Sequence, residues 1–403
     1  MQKVVIDQPY TFIAPRLSQF WLRVMRWILP RHLRKDYGIT AVECRDADKL
    51  QASLAAGHGV MLVGNHCRPC DPMVLDALAR EVRRPFTVIA SWHVFMTSGI
   101  QRFLLPRVGG FSVYREGLDR ESLKCAVNIV ADGKNPLVIF VEGIITRCND
   151  RLVNFMDGPA FMARTAAKQR KHGKVVIHPV FIRYFFEGDL QTAVLPVIEK
   201  IENRLSWQPQ TQLPLRERIR KVGDALLGLK EIEHYGSPQQ GDFPERLHRL
   251  VDKLLSPLED RWSASRHDGD AMARVKRLRA AILPDMVTGE LTDTERAARW
   301  RDLADVYLVQ QLHCYPGDYI DRPTPERILE TVERYEEDLT DKARAHPPIR
   351  AIITVGDAIE VSAARDRSQE TDPLTAEIRQ RMEVLLESTK TERKITPTGT
   401  DIL

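Results

Sequence analysis

A histidine and an aspartate stand five positions apart in Asn65-His66-Cys67-Arg68-Pro69-Cys70-Asp71, directly after the apolar run Val60-Met61-Leu62-Val63-Gly64. Imidazole exchanges a proton near neutral pH, and a carboxylate within reach fixes its tautomer and stabilises the charged ring. Such a pair can activate a hydroxyl. A structural alternative exists for each partner. Asp71 precedes Pro72 and the apolar Met73-Val74-Leu75, which reads as a helix N-cap with proline at the first helical position. A lone histidine at a strand end is commonly structural. The roles are compatible if one carboxylate oxygen bonds a helix amide while the other meets His66. Cys67 and Cys70 between them raise the idea of zinc or a redox pair, but no second Cys-x2-Cys supplies two further ligands. We read both as inert, and a thiol redox enzyme remains a third reading.

The chain has 403 residues, 43% hydrophobic and 28% charged, with a formal net charge of +4. That is ample for one large domain or two smaller ones. The mild charge, without interleaved aromatic and basic recognition motifs or zinc-finger spacing, speaks against a nucleic-acid binder. Six scattered cysteines with no leader-like stretch before them suggest a reducing cytoplasm. No stretch is apolar enough to span a bilayer. From Gln8 to Lys35 no acidic residue occurs, while Arg16, Arg23, Arg26, Arg31 and Arg34 alternate with Phe20, Trp21, Leu22, Trp27 and Ile28. The pattern fits an amphipathic helix on anionic headgroups, or a basic helix packed on its own domain.

Beyond residues 1–40, an amphipathic helical region, β-prone runs alternate with helical ones. Val60–Val63, Phe86–Ala90, Gly110–Tyr114, Leu137–Val141 and Val175–Tyr184 read as strands. Helices are expected over Pro72–Val82, Trp92–Leu105, Asp119–Ala131 and Gly158–Lys171. The alternation, with runs apolar on both faces, implies an α/β fold with a mainly parallel sheet flanked by helices. Residues 41–187 form its first part. Residues 188–346 are helical and charged, without a recognisable period, and read as a large all-helical insertion. Residues 347–403 return to strand and a final helix.

Four ordered segments resemble the glycerolipid acyltransferase family, whose members include glycerol-3-phosphate and 1-acylglycerol-3-phosphate acyltransferases. They are the His-x4-Asp segment, Gly109-Gly110-Phe111-Ser112-Val113-Tyr114-Arg115, Val138-Ile139-Phe140-Val141-Glu142-Gly143, and Val175-Val176-Ile177-His178-Pro179-Val180. In the third, the family's Phe-Pro-Glu-Gly-Thr-Arg has Val141 for proline and Ile144-Ile145 for Thr-Arg, and the next arginine is Arg147. The resemblance implies that His66 is the general base, oriented by Asp71. It places Arg115, Glu142, Gly143 and Arg147 at an acceptor or its phosphate, with glutamate's part mainly positional or acceptor-contacting. Asn65, Gly109, Gly110 and Pro179 would shape the site. His172 and His178 are taken as structural or surface residues.

The implied reaction moves a fatty acyl group from acyl-CoA or acyl-carrier protein to the hydroxyl of a lysophospholipid-like acceptor, 1-acylglycerol-3-phosphate first among them. It needs no metal or prosthetic group, and places the protein peripherally at the inner face of the membrane. A catalytically weak acyl-CoA or lipid-binding scaffold using the helical insertion is the alternative. Nothing in the residues selects an oligomeric state.

Overall fold

The computed structural model describes residues 6–206, 208–263, 270–315, 317–340, 342, 344–365 and 372–392. In chain order, α1 (Gln19–Tyr37) leads into β1 (Ile39–Arg45), α2 (Ala47–Ala55) and β2 (Gly59–Gly64). Two short helices, α3 (Asp71–Val74) and α4 (Asp76–Glu81), precede β3 (Thr87–Ser91), and α5 (Trp92–Met96) and α6 (Gly99–Arg107) precede β4 (Gly110–Val113). Next come α7 (Arg120–Asp132), β5 (Leu137–Phe140), α8 (Gly158–Gln169) and the long β6 (Val175–Phe186). Six helices follow: α9 (Leu190–Arg204), α10 (Leu215–Tyr235), α11 (Phe243–Arg261), α12 (Ala271–Thr288), α13 (Asp293–His313) and α14 (Pro325–Thr340). Finally β7 (Ile349–Val355), β8 (Ile359–Glu360) and α15 (Pro373–Ser388) complete the sheet and its cover.

The chain divides into two units. An α/β unit holds Thr11–Gly188 and the described residues from Ala345 onward; a helical unit holds those between Asp189 and Arg344, with 6–10.

The sheet of the α/β unit runs β1-β7-β6-β2-β5-β3-β4, with β8 also on β6. Its pairs are parallel except where β6 meets β7 and β8. Every residue of β2, β5 and β6 is buried, which is why these strands read as continuous apolar runs. Ala126, Val130, Ala163, Ala166, Ile378 and Met382 of α7, α8 and α15 close one face over Met61, Val63, Leu137 and Ile177. The edge strand β4 is covered by the incoming chain: Ile13 N–H donates to Ser112 Oγ at 2.8 Å and Ser112 N–H to Ile13 O at 3.0 Å.

Several expectations shift. The N-terminal helix begins only at Gln19, because the residues before it run along β4. Strand β1 and helix α2 were not anticipated; Ile-Thr-Ala-Val-Glu-Cys-Arg has no clean alternation, being an edge strand only partly covered. The helix expected from Pro72 is two short ones. That expected from Trp92 is broken at Ser98, whose side chain accepts from Gln101 N–H and caps α6.

The helical unit carries a periodicity that the sequence reading missed. Helices α10, α11 and α12 begin at equal intervals, and Arg218, Arg246 and Arg274 recur at the same interval near their N-termini. Each arginine forks onto a glutamate near the end of the preceding helix. Arg218 meets Glu202 at 3.0 and 2.7 Å, Arg246 meets Glu231 at 2.9 and 2.8 Å, and Arg274 meets Glu259 at 2.8 and 3.0 Å. Glu202 and Glu231 also each accept a linker backbone amide, from Gln210 and Gln239. The repeat hides in sequence because one acid and one base recur among many charges.

Burial works against ionised Glu202 and Glu231, but the arginine forks and amides outweigh it and hold both carboxyls below the ordinary value of 4.5. Their stabilisation is complete above that value and is lost as the pH falls through the lower folded values. Removing one partner strands a buried charge. Arg246→Ala is therefore expected to cost roughly 3 kcal/mol, and Glu231→Leu with Arg246→Met together much less. Urea denaturation followed by circular dichroism measures both; equal losses for the single and double variants would contradict the pairing.

Candidate active site

His66 lies two residues beyond the end of β2, and four residues fix it. Its backbone N–H donates to Glu142 Oε2 at 2.7 Å, and its carbonyl accepts Thr146 N–H at 2.8 Å and the Thr146 hydroxyl at 3.3 Å. Both polar backbone groups are thus held by the loop after β5. Phe140, the last residue of β5, stacks on the imidazole with centroids 4.2 Å apart and planes 20° from parallel. Nδ1 lies 2.7 Å from Asp71 Oδ2. With the Nδ1 proton on that bond, Nε2 keeps its lone pair for an incoming hydroxyl. The side chain remains 17% exposed, whereas Asp71 is fully buried.

Asp71 does not cap its helix; it is the helix's first residue, with Cys70 in the cap position and no side-chain cap bond. Its Oδ2 accepts Arg68 N–H at 2.9 Å as well as the ring, and Oδ1 accepts the Tyr184 hydroxyl at 2.5 Å. The expected bond to a helix amide is replaced by one to an amide before the helix. Full burial, and then the Asp71 carboxylate, hold the Tyr184 phenol well above its ordinary value, so it stays a donor.

Tyr184 was not foreseen, and two side-chain amides place it. β2 pairs with β6 only as far as Gly64 and Val180. Beyond that, Asn65 substitutes for strand backbone: its Nδ2 donates to Ile182 O at 3.0 Å and its Oδ1 accepts Ile182 N–H at 2.8 Å. Asn149 Oδ1 accepts Tyr184 N–H at 2.8 Å in the same way. Asn65, expected to shape the site, does so by prolonging the sheet.

Glu142 is buried, with Oε2 on His66 N–H and Oε1 on Val153 N–H at 3.1 Å. Burial raises its carboxyl and the two amides partly counter that. Both oxygens face backbone, so its position is that of a brace. Gly143, at φ +68°, turns its carbonyl to accept from the Arg115 guanidinium. Arg115 follows β4 at the carboxyl end of the sheet, the end occupied by His66. Arg147 ends the Glu142–Thr146 loop in a left-handed conformation, φ +59°.

Gly109 and Gly110 do not border His66, a correction to the expected role. They lie at the amino end of β4, where Gly109 has φ +104° and a Cβ would stand 2.4 Å from Phe86 O. Pro179 also belongs to the sheet. It aligns with Val63 where the antiparallel neighbour of β6 changes from β7 to β8, so its missing N–H costs no ladder bond. His178 is structural, bonded to Gly356 O at 2.8 Å and Ser53 Oγ at 2.9 Å. Cys67 and Cys70 are buried free thiols, and burial followed by the neighbouring Asp71 pushes Cys70 up to about 12. Among the described residues, no cluster of three potential metal ligands occurs.

Residues 41–183, which contain His66, Asp71, Arg115, Glu142 and Arg147, match the family model described as Acyltransferase. No curated protein matches the chain.

Because the Tyr184 hydroxyl reaches the ring only through Asp71, Tyr184→Phe is expected to lower kcat about tenfold with little change in KM. It should also cost about 1–3 kcal/mol of stability through the weakened buried carboxylate. Steady-state kinetics and urea denaturation provide the check.

Proposed function

We propose that the protein, whose residues 41–183 match the Acyltransferase family model, transfers a fatty acyl group from acyl-CoA or acyl-carrier protein to the hydroxyl of a lysophospholipid-like acceptor. The observation that carries this reading is the His66–Asp71 bond, with a ring that remains accessible on a buried, hydrogen-bonded carboxylate. Nε2 takes the acceptor's O–H proton as the oxygen attacks the thioester carbonyl. The imidazolium, steadied by Asp71, then returns the proton to the departing thiolate as the tetrahedral adduct collapses. No side chain acts as nucleophile, so transfer is direct and proceeds without an acyl-enzyme. Only the two substrates take part.

We assign Arg115 and Arg147 to an acidic head group on the acceptor, because both flank the loop that clamps His66 and guanidinium forks match phosphate oxygens. A 1-acylglycerol-3-phosphate would supply the hydroxyl, the phosphate and an acyl tail together. This reading puts the protein at the anionic inner face of the membrane.

The surface of α1 and α6 supports that placement. No described helix is long and apolar enough to cross a membrane. Yet Trp27 is 71% exposed, Phe20 65% and Ile100 75%, with Ile28 and Phe103 also exposed. Phe20, Trp21 and Phe103 join edge to face at 5.3 Å, which merges the two helices into one apolar ridge. Exposed Arg23, Arg31, Arg34 and Lys35 border it. An apolar ridge with a cationic border is the composition of an interfacial helix.

His66→Ala is expected to reduce transfer by about 10²–10⁴-fold while circular dichroism stays native. Product lipids formed from mixed lysolipids and labelled acyl-CoA, resolved by mass spectrometry, give the rate and the acceptor; near-normal turnover in the variant would end the mechanism. Trp27→Glu with Ile28→Glu is expected to weaken sedimentation with anionic vesicles. Turnover of a short, water-soluble substrate pair should stay near wild type.

A further inference from the structure

A second cationic feature of the α/β unit lies away from His66. Leu17 just before α1, Gln19, Leu22 and Arg26 of α1, Arg80 of α4, Arg83–Pro85 in the turn after it, and Asn135 before β5 line a half-open groove of about 430 Å³. That is room for a phosphate with an organic body, not merely an ion. Four arginines, Arg26, Arg80, Arg83 and Arg84, are among its lining residues. Among the described residues, the acid that pairs with them is Asp76, shared by Arg80 at 2.9 Å and Arg26 at 3.5 Å. Glu81, the other acid of α4, is turned to the thiol of Cys44. Arg83 and Arg84 are exposed and have no acidic partner among the described residues. Arg83 also adopts φ +54°, a left-handed conformation where glycine is favoured after a helix. The turn thus keeps a long cation in a place that local backbone energetics would give to glycine.

The groove's position separates it from the catalytic residues. Its turn and Asn135 precede β3 and β5, at the amino end of the parallel strands, whereas His66 follows the carboxyl end of β2. The two lie a strand length apart, on the order of 15–20 Å.

We propose that this groove is a second anion site, which binds a phosphate monoester dianion. Several forked guanidiniums facing one cavity match a phosphate's multiple oxygens better than a single carboxylate. Leu17, Leu22 and Pro85 offer apolar contact to the ester's body, and Gln19 and Asn135 offer neutral donors. The same chemistry is presented by a phosphatidate headgroup in a bilayer and by a soluble phosphate ester. The site does not depend on the acyl-transfer reading, since none of its residues belongs to the His66 cluster.

The test uses the full chain and two probes: inorganic phosphate by calorimetry, and sedimentation with phosphatidylcholine vesicles with or without phosphatidate. Arg83→Gly with Arg84→Ala removes both unpaired cations and relieves the left-handed residue, so the melting temperature should not fall. Phosphate affinity should drop by at least about tenfold. Lys124→Ala with Lys168→Ala, which removes two exposed cations outside the groove and outside the α1 ridge, should leave phosphate affinity unchanged. Selective wild-type binding to phosphatidate vesicles, competed by phosphate and lost in the groove variant, would identify the lipid headgroup as ligand. Phosphate binding without vesicle preference would identify a soluble ester. The proposal is overturned if wild type binds neither probe, if the groove variant binds phosphate as tightly as wild type, or if the two double variants lose affinity equally.

Discussion

A fully buried carboxylate at Asp71 is the constraint from which the rest of the α/β unit follows. An ionised group without solvent is tolerable only when its oxygens are saturated by donors. Asp71 achieves this with the His66 ring, the Arg68 amide and the Tyr184 hydroxyl. These donors come from the end of β2, the turn into α3 and the far part of β6, so the carboxylate is satisfied only when two central strands are in register. The catalytic geometry and the integrity of the sheet are therefore one condition. An imidazole that slipped from Asp71 would leave a buried charge short of a donor, which disfavours the misaligned state.

Holding Tyr184 there requires β6 to continue well past the end of β2. Strand backbone left bare at that point would expose buried donors and acceptors. The side chains of Asn65 and Asn149 take over the ladder, one after the other, for Ile182 and Tyr184. An amide side chain carries the same donor and acceptor pair as a peptide group, and it lets the main chain turn aside. That turn frees the segment from His66 to Asp71 to fold back over the strand ends.

The sequence made visible what depends on local order. Alternating apolar strands and helices gave the α/β class, and the His66–Asp71 spacing gave the pair that actually bonds. What stayed hidden depends on contacts across long stretches of chain. Tyr184 lies 113 positions from its partner Asp71, and the Glu142 carboxylate 76 from the His66 amide it accepts. No periodicity marks such residues, because one tyrosine in an apolar strand looks like core. Asp71 reads as a cap since a proline follows it, but the His66 ring, the Arg68 amide and the Tyr184 hydroxyl take its oxygens instead. β1 was missed because an edge strand need not alternate, and the helical repeat because its sign is a single Arg–Glu pair per turn of the array.

The loop after β5 shows how structure can re-register a motif that position alone misaligns. Counting from Glu142-Gly143, the family's Thr-Arg falls on Ile144-Ile145, and the motif looks broken. Yet Thr146-Arg147 follows directly, and it is Thr146 that returns to the His66 carbonyl through both its amide and its hydroxyl. Ile144 is buried, and the loop returns to the site at Thr146. Left-handed residues bound the detour, Gly143 before it and Arg147 at its end. The first frees a carbonyl for Arg115; the second redirects the chain toward Asn149, which completes the sheet beside Tyr184. The grip on the histidine is thus set by which backbone groups must be satisfied and not by the count of residues between them.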